Sequence, residues 1–167
     1  MREWLVGGGL VVGERGVLLV ENLRRDGARD WSPPGGVIDD DETVVSGLTR
    51  EVEEETGVRV RHWNGPVYEV EVEAPGLGWR LRVEAHLAVE FTGDLRICDP
   101  DGIVVDAAFV APDECDARLA GCQPWVREPL GAWLAERWGA TSATHPLRRF
   151  RYLVEGEHPR RAIVSRR

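Results

Sequence analysis

Carboxylates crowd one short stretch of this chain, residues 36–58, which reads GVIDDDETVVSGLTREVEEETGV. Within a helix, Glu51 would face Glu54 and Glu55 at spacings of three and four residues. Each such like-charge pair destabilises a helix by a few tenths of a kcal/mol. A hard divalent cation reverses that effect, because Mg²⁺ prefers carboxylate oxygens and keeps several waters. The cluster is therefore either a metal site or a solvated acidic face.

The elements that must position these groups are a glycine turn and a helix. One of Asp39, Asp40 and Asp41 is expected to cap the first helical turn. Gly57 follows the last periodic residue, where a left-handed cap ends many helices. A core-facing stripe is predicted from the spacing of Val45, Leu48 and Val52.

Angular placement at about 100° per residue separates the glutamates. Glu51, Glu54 and Glu55 fall within an arc of roughly 100° beside the apolar stripe. Glu53 points away and is expected to be solvated. Arg50 lies next to the cluster and could hold one carboxylate through a bidentate pair.

The segment resembles the Nudix box, the signature of the Nudix (MutT-like) hydrolases. The matching positions are Gly36, Glu42, Arg50, Glu51, Val52, Glu54, Glu55, Gly57 and Val58. The run Trp31-Ser32-Pro33-Pro34-Gly35-Gly36 resembles the family's entry into the box.

This resemblance implies roles for the box residues. Glu51, Glu54 and Glu55 would bind Mg²⁺, with Mn²⁺ as a second option, and the Gly36 carbonyl would be a further ligand. Arg50 would orient the carboxylates, and Glu42 would support the joint between loop and helix. Glu51 is the first choice as general base, although a loop carboxylate fills that role in some relatives.

Many relatives carry another acidic residue before a later strand, where this chain aligns Ile103. Asp101 is the nearest substitute, with Asp99 and Asp94 close by. The alternative role of these aspartates is turn formation, since Asp-Pro-Asp-Gly is a strong turn sequence.

Substrate contacts must come from outside the box. Arg24, Arg25 and Arg29 lie in the loop before Trp31, which faces the site in this family, and could touch phosphate or simply be solvated. Trp31, Trp79 or Trp125 could stack a nucleobase, although each could equally be buried in the core.

Composition narrows the function classes. The length of 167 residues suits one domain. The net charge of −8 disfavours binding to long nucleic acids. No apolar run of membrane-spanning length and no leader is evident, so a cytoplasmic protein is expected. The three cysteines lack metal spacing, and all 21 basic residues are arginine.

The order of predicted elements indicates an α/β protein, and the resemblance implies a mixed β-sheet sandwiched between α-helices. Trp4–Val12 and Val17–Glu21 are predicted to pair as a hairpin, and Ala74–Gly78 to form a turn. Further predicted elements are strands at Arg59–Trp63, Val67–Glu73, Trp79–Phe91 and Ile103–Val110 and helices at Pro112–Leu119 and Trp125–Trp138. Pro129 falls about one turn into the last helix, so a later start is the alternative. Its stripe of Val126, Leu130, Trp133, Leu134 and Trp138 favours core packing.

Two segments are predicted: a Nudix domain at 1–138 and an Arg-rich tail at 139–167. The tail carries seven arginines and two glutamates, a formal charge of +5. It could be solvated, or form a hairpin that docks on the domain or on the second subunit of a homodimer.

The function that the resemblance favours is Mg²⁺-dependent cleavage of a pyrophosphate bond in a nucleotide. The substrate would be a nucleoside triphosphate, oxidised or not, or ADP-ribose or another nucleotide sugar. The alternative is a module that binds nucleotide without cleaving it and acts as a sensor. Such modules often lose box glutamates, and this chain retains them.

Overall fold

The computed structural model describes residues 1–139 and 146–167 as two β-sheets with helices packed against them. The strands are β1 (Arg2–Leu10), β2 (Val12–Gly13), β3 (Gly16–Leu23), β4 (Arg29–Ser32), β5 (Gly35–Val37), β6 (Arg59–Ala74), β7 (Trp79–Thr92), β8 (Val104–Val110), β9 (Arg148–Glu155) and β10 (Ile163–Arg166). The helices are α1 (Val44–Thr56), α2 (Pro112–Arg118) and α3 (Pro124–Gly139). This mixed arrangement confirms the predicted α/β class.

The larger sheet has six strands in the order β10-β9-β6-β7-β1-β5. Parallel pairs join β1 to β7 and β6 to β9, and the other neighbours are antiparallel. Because β5 is the last strand of this sheet, the glycines at its start lie at the sheet edge, next to α1.

The smaller sheet is built around β3, which pairs with β2, β4 and β8. The predicted hairpin is therefore only partly right: Val12–Gly13 pairs with Gly16–Val17, whereas β1 belongs to the larger sheet. The chain changes sheets at Leu10 and Val11, which are both fully buried but in different core clusters. A continuous apolar run gives no sign of such a change of sheet.

Other predicted boundaries shift in the structure. The segments Arg59–Trp63 and Val67–Glu73 form one long strand, β6, whose pairing with β7 is interrupted by register shifts. The predicted turn at Ala74–Gly78 is a short 3₁₀ helix over Pro75–Leu77. Helix α3 begins at Pro124 and continues through Pro129, so the predicted helix at Trp125–Trp138 is confirmed and the alternative of a later start is wrong.

Two apolar clusters form the core. One lies between α1 and the two sheets and includes Leu18, Leu48, Val52 and Trp63. The other is covered by α2 and α3 and includes Leu119, Leu130 and Leu134, with Val126 and Trp133 half-buried. The side chain of Trp138 and residues 140–145 of the predicted tail lie outside the described residues.

The C-terminal strands are part of the larger sheet. Strand β9 runs parallel to β6, and β10 pairs with β9 as an edge strand. Phe150, Tyr152 and Val154 are buried in the second cluster. None of the described helices is both long and apolar enough to cross a membrane.

Candidate active site

Helix α1 is set in place by its caps. Thr43 is the N-cap: its side chain accepts from the Ser46 amide at 3.1 Å, and the Ser46 hydroxyl accepts from the Thr43 amide at 3.0 Å. The predicted aspartate cap is therefore wrong, because Asp39–Asp41 end before the helix begins. Gly57 ends the helix at a φ of 79°, as predicted.

The core-facing stripe of α1 differs from prediction at its start. Leu48, Val52 and Thr56 are buried, whereas Val45 is 43% exposed. Val45 lies in the first helical turn, before the helix reaches the apolar cluster. The helix is held from another side by a hydrogen bond from the Trp63 indole to the Thr49 hydroxyl at 2.9 Å.

Arg50 binds three of the box carboxylates together. Its guanidinium donates to both oxygens of Glu42, at 2.8 and 3.0 Å, and to Glu51 at 2.9 Å and Glu54 at 3.3 Å. The same arginine lowers the pKa of Glu42, and Glu42 and Glu51 raise the pKa of Arg50. The Arg50 guanidinium, on the same helix, thus holds the Glu51 and Glu54 carboxylates close to each other.

Glu55 is the most strongly perturbed carboxyl group of the box. It accepts a hydrogen bond from the Gly35 amide at 3.0 Å. Burial, reinforced by the charges of Glu51, Asp99 and Glu54, raises its pKa to about 8 despite that hydrogen bond. Burial likewise raises the pKa of Glu51. A nearby cation would relieve these costs, since opposite charge favours the ionised form.

Gly36 leaves the space that Glu51 occupies. A β-carbon on Gly36 would lie 2.6 Å from the Glu51 carboxyl carbon and within 2.9 Å of both its oxygens. The backbone of residue 36 therefore approaches the carboxylate more closely than any other residue type would permit.

The predicted outward direction of Glu53 agrees with its contacts. Glu53 is exposed and pairs with Arg59 at 2.8 Å, away from the other three glutamates.

The loop before β8 faces this cluster. Asp99 accepts from the amides of Asp101, Ile103 and Val104, at 3.2, 3.0 and 2.9 Å, so its carboxylate forms the turn. Asp101 is exposed, and its charge contributes to the raised pKa of Glu51. Of the loop aspartates, Asp101 is the one that stays a candidate extra carboxylate. Asp94 places its carbonyl beside Gly57, at the end of α1.

The donor set fits a hard divalent cation by its chemistry. Glu51, Glu54 and Glu55 provide only carboxylate oxygens from one face of α1, and Mg²⁺ is bound by few protein carboxylates plus waters. Within residues 1–139 and 146–167, no three acidic, His or Cys side chains converge closely enough to hold a metal as they stand. Glu51 and Glu54 instead accept hydrogen bonds from Arg50, and Glu55 accepts one from the Gly35 amide.

The predicted substrate residues Arg24 and Trp31 make their side-chain contacts with residues other than the box carboxylates. Arg24 is held by Asp30 at 2.6 and 2.7 Å, and Arg25 is exposed. Trp31 packs against the second core cluster, with the Arg118 guanidinium 4.7 Å from its ring centre.

Trp79 and Trp125, the other tryptophans predicted as candidates for base stacking, pack against the second core cluster. Trp79 contacts Trp4 and Trp125 at centroid distances of 6.1 and 6.3 Å, and it borders the second cluster. Trp79 and Trp125 are both half-buried, and their ring contacts are with each other and with Trp4.

Sequence reasoning missed Asn22, which is 6% exposed near the end of β3. Its side-chain amide donates to Ser32 at 2.9 Å and to the Asp30 carboxylate at 3.1 Å. The only signal in the sequence was a polar amide after the apolar run Val17–Val20, where a buried polar residue needs partners.

Solved structures share this fold. The solution structure of the E. coli ORF135 protein superposes with a TM-score of 0.70 at 20% identity, covering 85% of this chain and 96% of that one. A MutT NUDIX hydrolase from Burkholderia pseudomallei matches with a TM-score of 0.59 at 26% identity, over 68% and 86% of the two chains. An ADP-ribose pyrophosphatase from Streptococcus suis matches with a TM-score of 0.56 at 21% identity, over 87% and 98%. The class that fold and site define is therefore that of the Nudix hydrolases.

Sequence comparison agrees with the fold. The NUDIX domain model matches residues 5–134, so this chain belongs to the Nudix family of hydrolases. A MutT-like protein from Streptomyces ambofaciens is 52% identical over 52 residues, which are 31% of this chain and 32% of that protein. The match thus spans about a third of the length of that relative.

Proposed function

We propose that this hydrolase cleaves, with Mg²⁺, a pyrophosphate bond in a nucleoside diphosphate linked to another moiety. The substrate would be a nucleoside triphosphate, including oxidised forms, or ADP-ribose or another nucleotide sugar. The observation that carries this proposal is the cluster of Glu51, Glu54 and Glu55 on one face of α1, held against Gly35 and Gly36. A small-molecule substrate also suits a chain with a net charge of −8.

Each box residue has a role in this proposal. Glu51, Glu54 and Glu55 would hold the metal, with the Gly36 carbonyl as a further ligand. Bound Mg²⁺, or Mn²⁺, neutralises phosphate oxygens and lowers the pKa of water. Arg50 orients Glu51 and Glu54, and its bidentate pair with Glu42 fixes the loop to the helix.

Glu51 is our proposed general base. It is half-buried, and one of its oxygens accepts from Arg50, so the carboxylate has a fixed direction. It would take the proton of the attacking water as the bond to phosphorus forms. Asp101, on the facing loop, is the second candidate for this step.

The test is the formation of cleaved nucleotide products, separated by chromatography, from a panel of dNTPs, an oxidised dNTP, ADP-ribose, NADH and dinucleoside polyphosphates, with and without Mg²⁺. Glu54→Gln should lose activity by more than about 100-fold, above the effect usual for outer-shell partners of a metal. Glu53→Gln is the matched control, since Glu53 lies on the same helix but faces Arg59. Full activity of Glu54→Gln would overturn the assignment.

The alternative is a nucleotide sensor that does not hydrolyse its ligand. No cleavage across the whole panel, together with tight nucleotide binding in calorimetry, would establish it. Homodimer formation also stays a prediction, and the sedimentation coefficient of the full chain tests it.

A further inference from the structure

Asn22 is a buried polar residue whose hydrogen bonds leave one of its atoms unused. Thr56, also buried, is satisfied by the Val52 carbonyl and the Val58 amide, and His86 faces Glu84 at 3.2 Å. The side-chain nitrogen of Asn22 donates to Asp30 and Ser32, but within the described part of the chain no donor bonds to its Oδ1. In the same part of the chain, every fully buried side-chain nitrogen or oxygen atom has a hydrogen-bond partner. Since Oδ1 has no such partner, it is accessible to solvent.

The orientation of this amide is fixed by its partners. All three acceptors around the nitrogen are oxygens: the Asp30 carbonyl, the Asp30 carboxylate and the Ser32 hydroxyl. A flipped amide would place its oxygen against the Asp30 carboxylate, which is repulsive. Arg24 also donates to both oxygens of that carboxylate, which keeps it in place. Oδ1 is therefore directed away from β4 as a preorganised acceptor.

Asn22 lies on the face of the smaller sheet that α1 covers. Side chains alternate along a strand, and β3 keeps a regular register with β4 from Val20 to Leu23 although its pairing with β8 shifts at Asn22. Asn22 therefore shares a face with Leu18, which belongs to the same core cluster as Leu48 and Val52 of α1. Trp31, opposite Glu21 on the other face, packs in the second cluster. The acceptor and the acidic helix are thus on the same side of the sheet.

Two short connections join Asn22 to Glu55. On one side, Ser32, which binds Asn22, is three residues before Gly35, whose amide binds Glu55. The Cα atoms of Ser32 and Gly35 therefore lie no more than about 11 Å apart. On the other side, Asn22 pairs with Val104, whose amide binds Asp99, and the Asp99 charge acts on Glu55. Asn22 is therefore connected to the carboxylate cluster both through the segment from Ser32 to Gly35 and through the loop before β8.

The geometry points to Asn22 as a specificity-determining residue that accepts a hydrogen bond from the nucleoside of the substrate. This inference rests on the proposed function and names the part of the substrate that is recognised. The donor is either an N–H of the base or a hydroxyl of the sugar. A buried amide that binds such a donor discriminates against analogues that lack it, because its oxygen would otherwise stay unpaired.

The experiment compares ATP with purine riboside triphosphate, whose base carries no N–H, and with 2′,3′-dideoxy-ATP, which lacks the sugar hydroxyls. The wild-type protein should show a KM about three- to tenfold higher for the analogue that lacks the bonded donor. Asn22→Leu should raise the KM for ATP by the same factor, leave kcat unchanged and lose the discrimination. Which analogue is affected assigns the donor to base or sugar.

Ser32→Ala is the matched control, since it removes a partner of the Asn22 nitrogen and leaves Oδ1 in place. Equal KM values for all three nucleotides in the wild-type protein would overturn the inference, and this arm needs no variant to fold. An equal loss of affinity in Ser32→Ala and Asn22→Leu would also overturn it, because the network and not the oxygen would then be responsible.

Failure of the proposed function is distinguishable from failure of this inference. If the wild-type protein cleaves none of the nucleotides, the Kd values of their non-hydrolysable α,β-methylene analogues with Mg²⁺ replace KM in the same comparison. Discrimination in Kd that Asn22→Leu abolishes would support the acceptor role in a non-hydrolytic protein.

Discussion

At the scale of single residues, the site is a balance between carboxylates and the few groups that offset their charge. Arg50 offsets Glu42, Glu51 and Glu54, whereas Glu55 has only the Gly35 amide. Burial, reinforced by the charges of Glu51, Asp99 and Glu54, gives Glu55 the largest pKa shift among the box carboxyl groups, and it makes the stability of the metal-free protein depend on pH.

Glu55→Gln tests that dependence. The folded-state pKa of Glu55 is raised to about 8 from 4.5, so ionisation above pH 4.5 opposes folding, and the full effect is reached above pH 8. In EDTA at pH 8.5, Glu55→Gln should raise Tm by about 4 °C, the shift expected for 1–2 kcal/mol in a chain of this length. Near pH 4.5 the two proteins should melt together. A variant that is less stable at pH 8.5 would contradict the raised pKa.

Gly36→Ala tests the close approach of the backbone to Glu51. The added β-carbon would lie 2.6 Å from the Glu51 carboxyl carbon, so the side chain must move. We expect activity to fall by about 10- to 100-fold, as for a displaced metal partner. Gly131→Ala is the control, since a β-carbon there meets no atom within 4 Å. Equal activity of both variants would show that Glu51 need not be held there.

At the scale of elements, α1 is positioned by its ends and by two side chains on its buried face. Leu48 and Val52 fix its rotation against the two sheets, which directs the glutamates toward Gly35 and the loop before β8. The N-cap at Thr43 sets the start of the helix, so Glu42 lies in the preceding loop. The ion pair of Glu42 with Arg50 then joins this loop to the helix.

Thr43→Ala tests the N-cap. Loss of the reciprocal bonds with Ser46 should lower the free energy of unfolding by about 1 kcal/mol. Asp41→Ala, at one of the positions first predicted to cap the helix, should change it little. Chemical denaturation of both variants separates the two assignments, and a larger effect of Asp41→Ala would restore the aspartate cap.

At the scale of the whole molecule, the family model ends at residue 134, but the larger sheet continues into β9 and β10. Phe150, Tyr152 and Val154 are each no more than 3% exposed, and the Tyr152 hydroxyl donates to Glu128 at 2.7 Å. The predicted division of the chain at residue 138 is therefore open to a direct test.

A chain that ends at Gly139 should not fold stably. Burial of the three β9 side chains contributes about 5–9 kcal/mol, which is comparable to the whole stability of a typical domain. The matched control is Arg149→Ala/Arg151→Ala, which removes only exposed ion pairs with Glu69 and Glu71. Far-UV circular dichroism on heating compares them. A shortened chain that melts like the full one would make residues 139–167 a separate tail.

The sequence by itself was enough to predict the acidic cluster and the family of this protein. The spacing of Glu51, Glu54 and Glu55 depends only on helical geometry, and the nine box positions lie within one continuous segment. Local signals such as Gly57 and the turn at Ala74–Gly78 were predictable for the same reason, because their interactions are between near neighbours in the chain.

Only the tertiary structure decided how that segment is surrounded. The sheet that β1 joins, the parallel pairing of β9 with β6 and the burial of Asn22 depend on contacts between residues far apart in sequence. Apolar strands that are buried on both faces carry no alternation to reveal their partners. The carboxylate cluster was visible as a pattern, whereas the hydrogen-bond network of Asn22 became visible only when β3 and β4 were brought together.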